Sequence, residues 1–136
     1  MSDERQLRTL RAGLETPAAT YLEGLRVVIP AAHRAFARVF ADADLIASAS
    51  RTDIAPRLDL ERPPRDATKL SDLLRAAGNL AGVPGISIPC GLSEEGLPVA
   101  LQLVGPRGSD ALLLAVAAAF QRETEDHLRR PPEPKT

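Results

Sequence analysis

Residues Asn79–Gly91 read "NLAGVPGISIPCG": an apolar run Ile86–Ser87–Ile88 framed by glycine or proline at nearly every place where a chain must turn. Alternating β-branched residues between such breakers read as a strand. Downstream, "LPVALQLVG" (Leu97–Gly105) is a second strand candidate, and the intervening "LSEEG" has the glycine and charges of a hairpin connection. Leu97, Val99, Leu101 and Leu103 fall on one face of this second strand, with Ala100, Gln102 and Val104 on the other. Its apolar content predicts burial on both faces. An antiparallel hairpin joining Ile86–Pro89 to Val99–Val104 is therefore expected.

Helices flank this hairpin. Ser109 and Asp110 stand where they would cap "ALLLAVAAAFQRETEDHL", a run apolar almost all the way round and so expected to be buried on more than one side. If other parts of the chain do not cover it, it should form an interface, with Leu113 and Val116 as contact residues. Before the hairpin, Asp66 to Ala77 reads as a helix with Leu70, Leu73 and Leu74 on one side and Gly78 at its end. Further upstream, "DLIASAS" (Asp44–Ser50) is a short strand candidate, followed by a 15-residue segment, Arg51–Arg65, with three prolines that suits a loop.

The N-terminal third is helical in pattern. A short helix over 3–12 is closed by Gly13, and Thr16 stands as a cap with Pro17 at the first position of a second helix over about 17–41. Leu22, Leu25, Val28, Ile29, Ala32, Phe36, Val39 and Phe40 trace its apolar face. Pro30 interrupts this helix and predicts a kink near Arg26–Ile29. The tail "RRPPEPKT" is polar and proline-rich, so residues 131–136 are expected to be disordered.

Composition narrows the function classes. The chain has 136 residues, of which 44% are hydrophobic, enough for one domain with one core. Aromatics make up only 3%, leaving no stacking platform for nucleic-acid bases. The net charge is -1, from 17 basic and 18 acidic residues that are interspersed, so no field draws phosphate backbones or anionic lipid. A single cysteine, Cys90, excludes an internal disulfide and fits a reducing compartment. The charged start "MSDERQLR" has no apolar core of a signal peptide, and a cytoplasmic protein is expected, without nucleic-acid or membrane partners.

The span "GNLAGVPGISIPCGLSEEGLPVALQLVGPRGSDALLLAVAAAFQRETEDHLRRP" resembles the C-terminal part of the amidase signature family. The asparagine before a Gly-x-Pro turn, the I-S-I-P-C-G strand, the G-L-P-V-x-L-Q-L-V-G strand and the alanine-rich helix come in the family's order. With "LRAGLETPAATYLEGLRVVIPAAHRAFARVFADADLIASAS" upstream, the likeness runs from about Leu10 to Pro132. It implies an α/β fold: a C-terminal fragment of the amidase signature fold, helices packed on a small mixed sheet that contains the antiparallel hairpin.

Members of this family hydrolyse or transfer amides and include the A subunits of tRNA-dependent amidotransferases. They use a lysine and two serines carried on their N-terminal part, where a glycine- and serine-rich segment supplies the oxyanion site. A serine hydroxyl needs a base to become a nucleophile, and the developing oxyanion needs backbone donors. That segment is absent from these 136 residues, and "SASR" stands where the family commonly has Pro-Thr-Thr-Pro. The resemblance therefore implies an amidase segment with no catalytic residue of its own and no cofactor. It would be inactive alone and completed by an N-terminal amidase partner chain or held in self-association; the alternative is a non-catalytic binding or regulatory module.

Few residues could carry chemistry within the chain itself. The only lysines are Lys69 and Lys135, and Lys69 and Ser71 are two apart, pointing to different sides of a helix. Ser87 and Cys90 have no lysine or histidine near them in sequence, and Cys90 is expected to be buried as a small hydrophobe. His33 and His127 with one cysteine give no metal-ligand spacing, and both are expected on helix surfaces. Asp72 is the one residue the resemblance carries over. In the A subunits of the amidotransferases, an aspartate seven residues before the equivalent of Asn79 helps hold the amino group of the amide donor, and "DLLRAAGN" keeps that spacing. Arg75 stands near a small polar residue in the family and can pair with Asp72, which leaves a surface acid as the other reading.

Overall fold

The computed structural model describes residues 4–57 and 70–130. In chain order it contains α1 (Glu4–Glu15), α2 (Ala18–Glu23), a π-helical segment (Gly24–Val28), α3 (Ile29–Val39) and β1 (Ile46–Ala49). Then come α4 (Leu70–Ala81), β2 (Gly85–Leu92), β3 (Pro98–Val104), α5 (Asp110–Glu123) and a 3₁₀ turn (Asp126–Leu128).

Strand β3 lies at the centre of a three-stranded sheet of order β1-β3-β2. The expected hairpin is present, pairing Ile86 with Leu103, Ser87 with Gln102 and Ile88 with Leu101. A β-turn closes it, with the Gly96 amide donating to the Ser93 carbonyl at 2.9 Å. β1 joins the other side of β3, and both pairings are antiparallel. The sheet within the described residues is thus antiparallel throughout, where the family likeness implied a mixed one.

Side-chain alternation sends β3 into two separate cores, as its apolar content on both faces predicts. On one face Leu103 and Ile88 pack against Leu113 and Ala117 of α5, flanked by Leu45, Ile86 and Leu101. On the other, Val104 packs with Phe36 of α3 and Ala81 of α4, flanked by Ile46, Leu74, Ala77 and Val83. Burying a leucine or phenylalanine side chain contributes about 1.5–3 kcal/mol, so each layer depends on a few such contacts.

Helix α5 departs from expectation. Only Leu113 and Ala117 are buried on it, and Leu112 and Leu114 are exposed at 42% and 62%. The apolar circumference is therefore used on one side only. Leu113, expected as an interface residue, faces the sheet at 3% exposure, and Val116 is half-buried beside it. Nor does Ser109 cap the helix through its side chain: it occupies the N-cap position without a side-chain hydrogen bond. Its hydroxyl is instead packed against Gly105, where an added Cβ would come within 2.2 Å of it and 3.0 Å of Leu45. Only glycine fits at that corner.

The end of α4 also differs. The helix runs through Gly78 to Ala81, and Gly82, at φ +59°, is the residue that stops it. The Val83 amide donates to the Gly78 carbonyl at 3.2 Å and the Gly82 amide to the Asn79 carbonyl at 3.3 Å. This is the Schellman arrangement, which satisfies two carbonyls at the helix end and needs a left-handed residue. Val83 then packs, as Ala77 does, against the core formed by Phe36, Ala81 and Val104. The start expected at Asp66, and the tail at 131–136, lie outside the described residues.

In the N-terminal third, α1 continues through Gly13 to Glu15. Pro17 takes the N-cap position of α2, and the Thr16 hydroxyl donates back to the Ala12 carbonyl at 2.9 Å rather than capping forward. The long helix continues without a gap across Pro30, and the irregularity expected there takes the form of a π segment: residues 24–28 are π-helical, and the Ile29 amide reaches back to the Gly24 carbonyl. Proline has no amide to offer and crowds the carbonyl four residues earlier, so the preceding turn widens by one residue. Of the predicted apolar face only Phe36 is buried; Leu22, Leu25, Val28 and Val39 are exposed.

Two stability outcomes follow from these packings. Gly82→Ala should lower unfolding free energy by about 1–2 kcal/mol, the strain of a non-glycine residue in the left-handed region, since the nearest atom to an added Cβ is 3.9 Å away. Leu101→Asp should cost roughly 3 kcal/mol by placing a charge against the α5 core. Urea unfolding of both variants checks them, and an unchanged midpoint for Leu101→Asp would place that side chain in water.

Candidate functional site

The strand register brings polar side chains together on the sheet face that α4 overhangs. Gln102 of β3 lies opposite Ser48 of β1 on one side and Ser87 of β2 on the other. Ser50, just past β1, reaches Ser87, and the two hydroxyls share a hydrogen bond of 2.8 Å. The Gln102 Oε1 atom is buried and has no hydrogen-bond partner among the described residues. α4 forms the opposing wall through Leu74, Arg75, Gly78 and Asn79, enclosing a cleft of about 130 Å³. Gly85 and Val83 also line it, so the turn "AGVPG" that stops α4 and starts β2 contributes to the cleft.

Asp72 sits one turn before the cleft wall. It is paired with Arg75 at the (i, i+3) spacing, partly buried, and Arg75 itself lines the cleft. The structure therefore places Asp72 beside the cleft rather than in its floor, held by the arginine three residues along its own helix. Asn79 also lines this cleft.

The remaining candidates stay apart. Cys90 is exposed, contrary to the expectation of a packed thiol, because the register shifts between Pro89 and Gly91 and the bulged residue turns outward. His33 is exposed on α3, as expected, whereas His127 is half-buried in the 3₁₀ turn, with Nδ1 buried and unpartnered among the described residues. Among the described residues no three His, Cys, Asp or Glu side chains cluster at metal-binding distances. Lys69 and Lys135 lie outside the described residues.

Chemically, the cleft can accept and donate hydrogen bonds, but none of the described residues lining it is a base that would activate a nucleophile. The described partner of the Ser87 hydroxyl is another hydroxyl, and neither is a base at neutral pH. Gln102 and Ser50 join the site only through the fold. The signal available in the sequence is Gln102 itself, a lone polar amide within an otherwise apolar strand; pairing it with Ser48 and Ser87 needs the register.

Known proteins resemble this chain in sequence and in fold. Residues 1–114 match the family model described as Amidase. The chain is 48% identical over 96 residues to the A subunit of glutamyl-tRNA(Gln) amidotransferase from Streptococcus pneumoniae, covering 71% of this chain and 20% of that protein. Its fold matches 6-aminohexanoate cyclic dimer hydrolase with a TM-score of 0.73 at 23% identity, over 92% of this chain and 28% of that one. It also matches the A subunit of the Thermotoga maritima glutamyl-tRNA(Gln) amidotransferase with a TM-score of 0.63 at 27% identity, over 89% and 27%. The chain thus spans about a fifth of the length of the curated relatives it matches. Sequence and fold agree: this chain belongs to the amidase signature family.

Proposed function

We propose that this chain is the C-terminal segment of an amide-hydrolysing or amide-transferring enzyme, inactive alone and completed by a partner chain that brings the lysine and two serines of the family. The observation that carries this reading is the combination of 48% identity to an amidotransferase's A subunit with coverage of only 20% of its length. The cleft under α4 supports it, since among the described residues it offers hydrogen-bonding groups without a base. In the completed enzyme Asp72 holds the amino group of the amide donor, and its ion pair with Arg75 is exchanged for that contact. A reducing, cytoplasmic setting fits the single free cysteine. Among the described residues no helix is long and apolar enough to cross a membrane.

The purified chain should release ammonia from glutamine, asparagine and small aryl or aliphatic amides only at background rate. Addition of an amidase N-terminal chain carrying the lysine and serines should restore turnover. Turnover by the pure chain that disappears in Ser87→Ala would overturn the reading. In the restored enzyme Asp72→Asn should raise KM for the amide donor while leaving kcat nearly unchanged, the pattern of lost ground-state binding.

Exposed leucines on α5 and along α1 to α3 suit association, with the partner or with a second copy. Sedimentation across a range of concentrations should show the isolated chain associating, and Leu114→Lys should weaken this without unfolding it. A monodisperse monomer at every concentration would exclude self-association.

A further inference from the structure

A second cavity lies on the other side of Val83 from the α4 cleft, where α3, the end of α4 and the loop from β3 to α5 meet. Its walls are Phe36, Phe40, Ala81 and Val83, and its rim carries His33 and Arg107; its volume is about 200 Å³. The two phenylalanine rings stack, with centroids 5.8 Å apart and planes 17° from parallel. Arg107 is exposed and makes no ion pair with any described residue. The pocket is thus an apolar, aromatic-walled hollow with an uncommitted guanidinium at its mouth.

From this geometry we infer a binding site for a small arylalkyl carboxylate. Size sets the apolar portion: an apolar cavity of about 150 Å³ stays dry and takes benzene, so a phenyl ring with two or three further carbons fills this one. An aromatic ring also gains from the offset or edge contacts that the paired phenylalanines offer. Charge sets the head. A planar carboxylate meets the guanidinium through two parallel hydrogen bonds, whereas an ammonium there is repelled. The fold itself brings Arg107 to the mouth, since it lies in the short loop between Gly105 and the start of α5, beside the left-handed Gly82. The site shares no cleft-lining residue except Val83 with the amide cleft, and it does not depend on the amidase reading.

The test is titration of the full chain with 3-phenylpropionate at low salt, followed by ¹H–¹⁵N spectra. A ligand of about ten heavy atoms at ordinary efficiency should bind with Kd on the order of 1 mM. The shifts should be saturable and centred on His33, Phe36, Ala81 and Arg107. Acetate should give none of them, and 3-phenylpropylamine should bind at least tenfold more weakly. Two exposed rim positions keep the result independent of folding: Arg107→Glu should weaken the acid at least tenfold, and Ala37→Leu, which fills the pocket from its edge, should abolish binding, both with unchanged melting. Equal binding of acid and amine would overturn the inference, as would Arg107→Glu within twofold of the parent or shifts scattered over the surface.

Discussion

The whole structure depends on β3 being buried from both sides. A strand with Leu101 and Leu103 facing one way and Val104 facing the other cannot remain half in water. It requires a layer on each face, and the chain supplies one helix to the first and two to the second. The tight turns follow from this demand. α4 must stop sharply at Gly82 for β2 to begin at Gly85, and β3 must turn at Gly105 for α5 to return over the sheet. At both corners a side chain is excluded, by backbone conformation at Gly82 and by the contact with Ser109 at Gly105.

The same central strand builds the polar cleft. Gln102 occupies a position that alternation directs toward α4, and its neighbours across the ladder are both serines. A buried carbonyl oxygen without a donor costs free energy comparable to a lost hydrogen bond. The site therefore carries an unmet demand for a donor, which a completing partner, a substrate or ordered water would satisfy. The serine pair, by contrast, already shares a hydrogen bond of 2.8 Å, one hydroxyl donating to the other. Among the described residues no base reaches the Ser87 hydroxyl, so this local chemistry gives a catalytic reading no support.

Incomplete cover is the other property of this chain. Leu14, Tyr21, Leu22, Leu25 and Val27 of the N-terminal helices are all exposed, as are Leu112 and Leu114 of α5. Scattered surface leucines are ordinary, but a helix whose apolar face is left exposed is not. The edge strands β1 and β2 add open backbone groups, and on β2 proline at position 89 and the bulge at Cys90 limit further pairing. These features support the reading of a segment that meets another chain.

By itself the sequence determined the local elements with strong signals. Alternating β-branched residues bounded by glycine and proline specified the hairpin; Pro30 marked where the helix becomes irregular; and some fifty residues of family pattern from Gly78 onward specified the fold. Local periodicity cannot say how much of each apolar face is covered, because cover is a property of neighbours. That is why the patterns of α5 and the long N-terminal helix imply more burial than these helices have. Nor can it tell that Gly82 rather than Gly78 ends α4, since both suit a helix end and only the Val83 contact with the α3–α4 core selects between them. The outward turn of Cys90 and the meeting of Ser50, Ser87 and Gln102 were decided by register, a long-range alignment of strands that no single segment encodes.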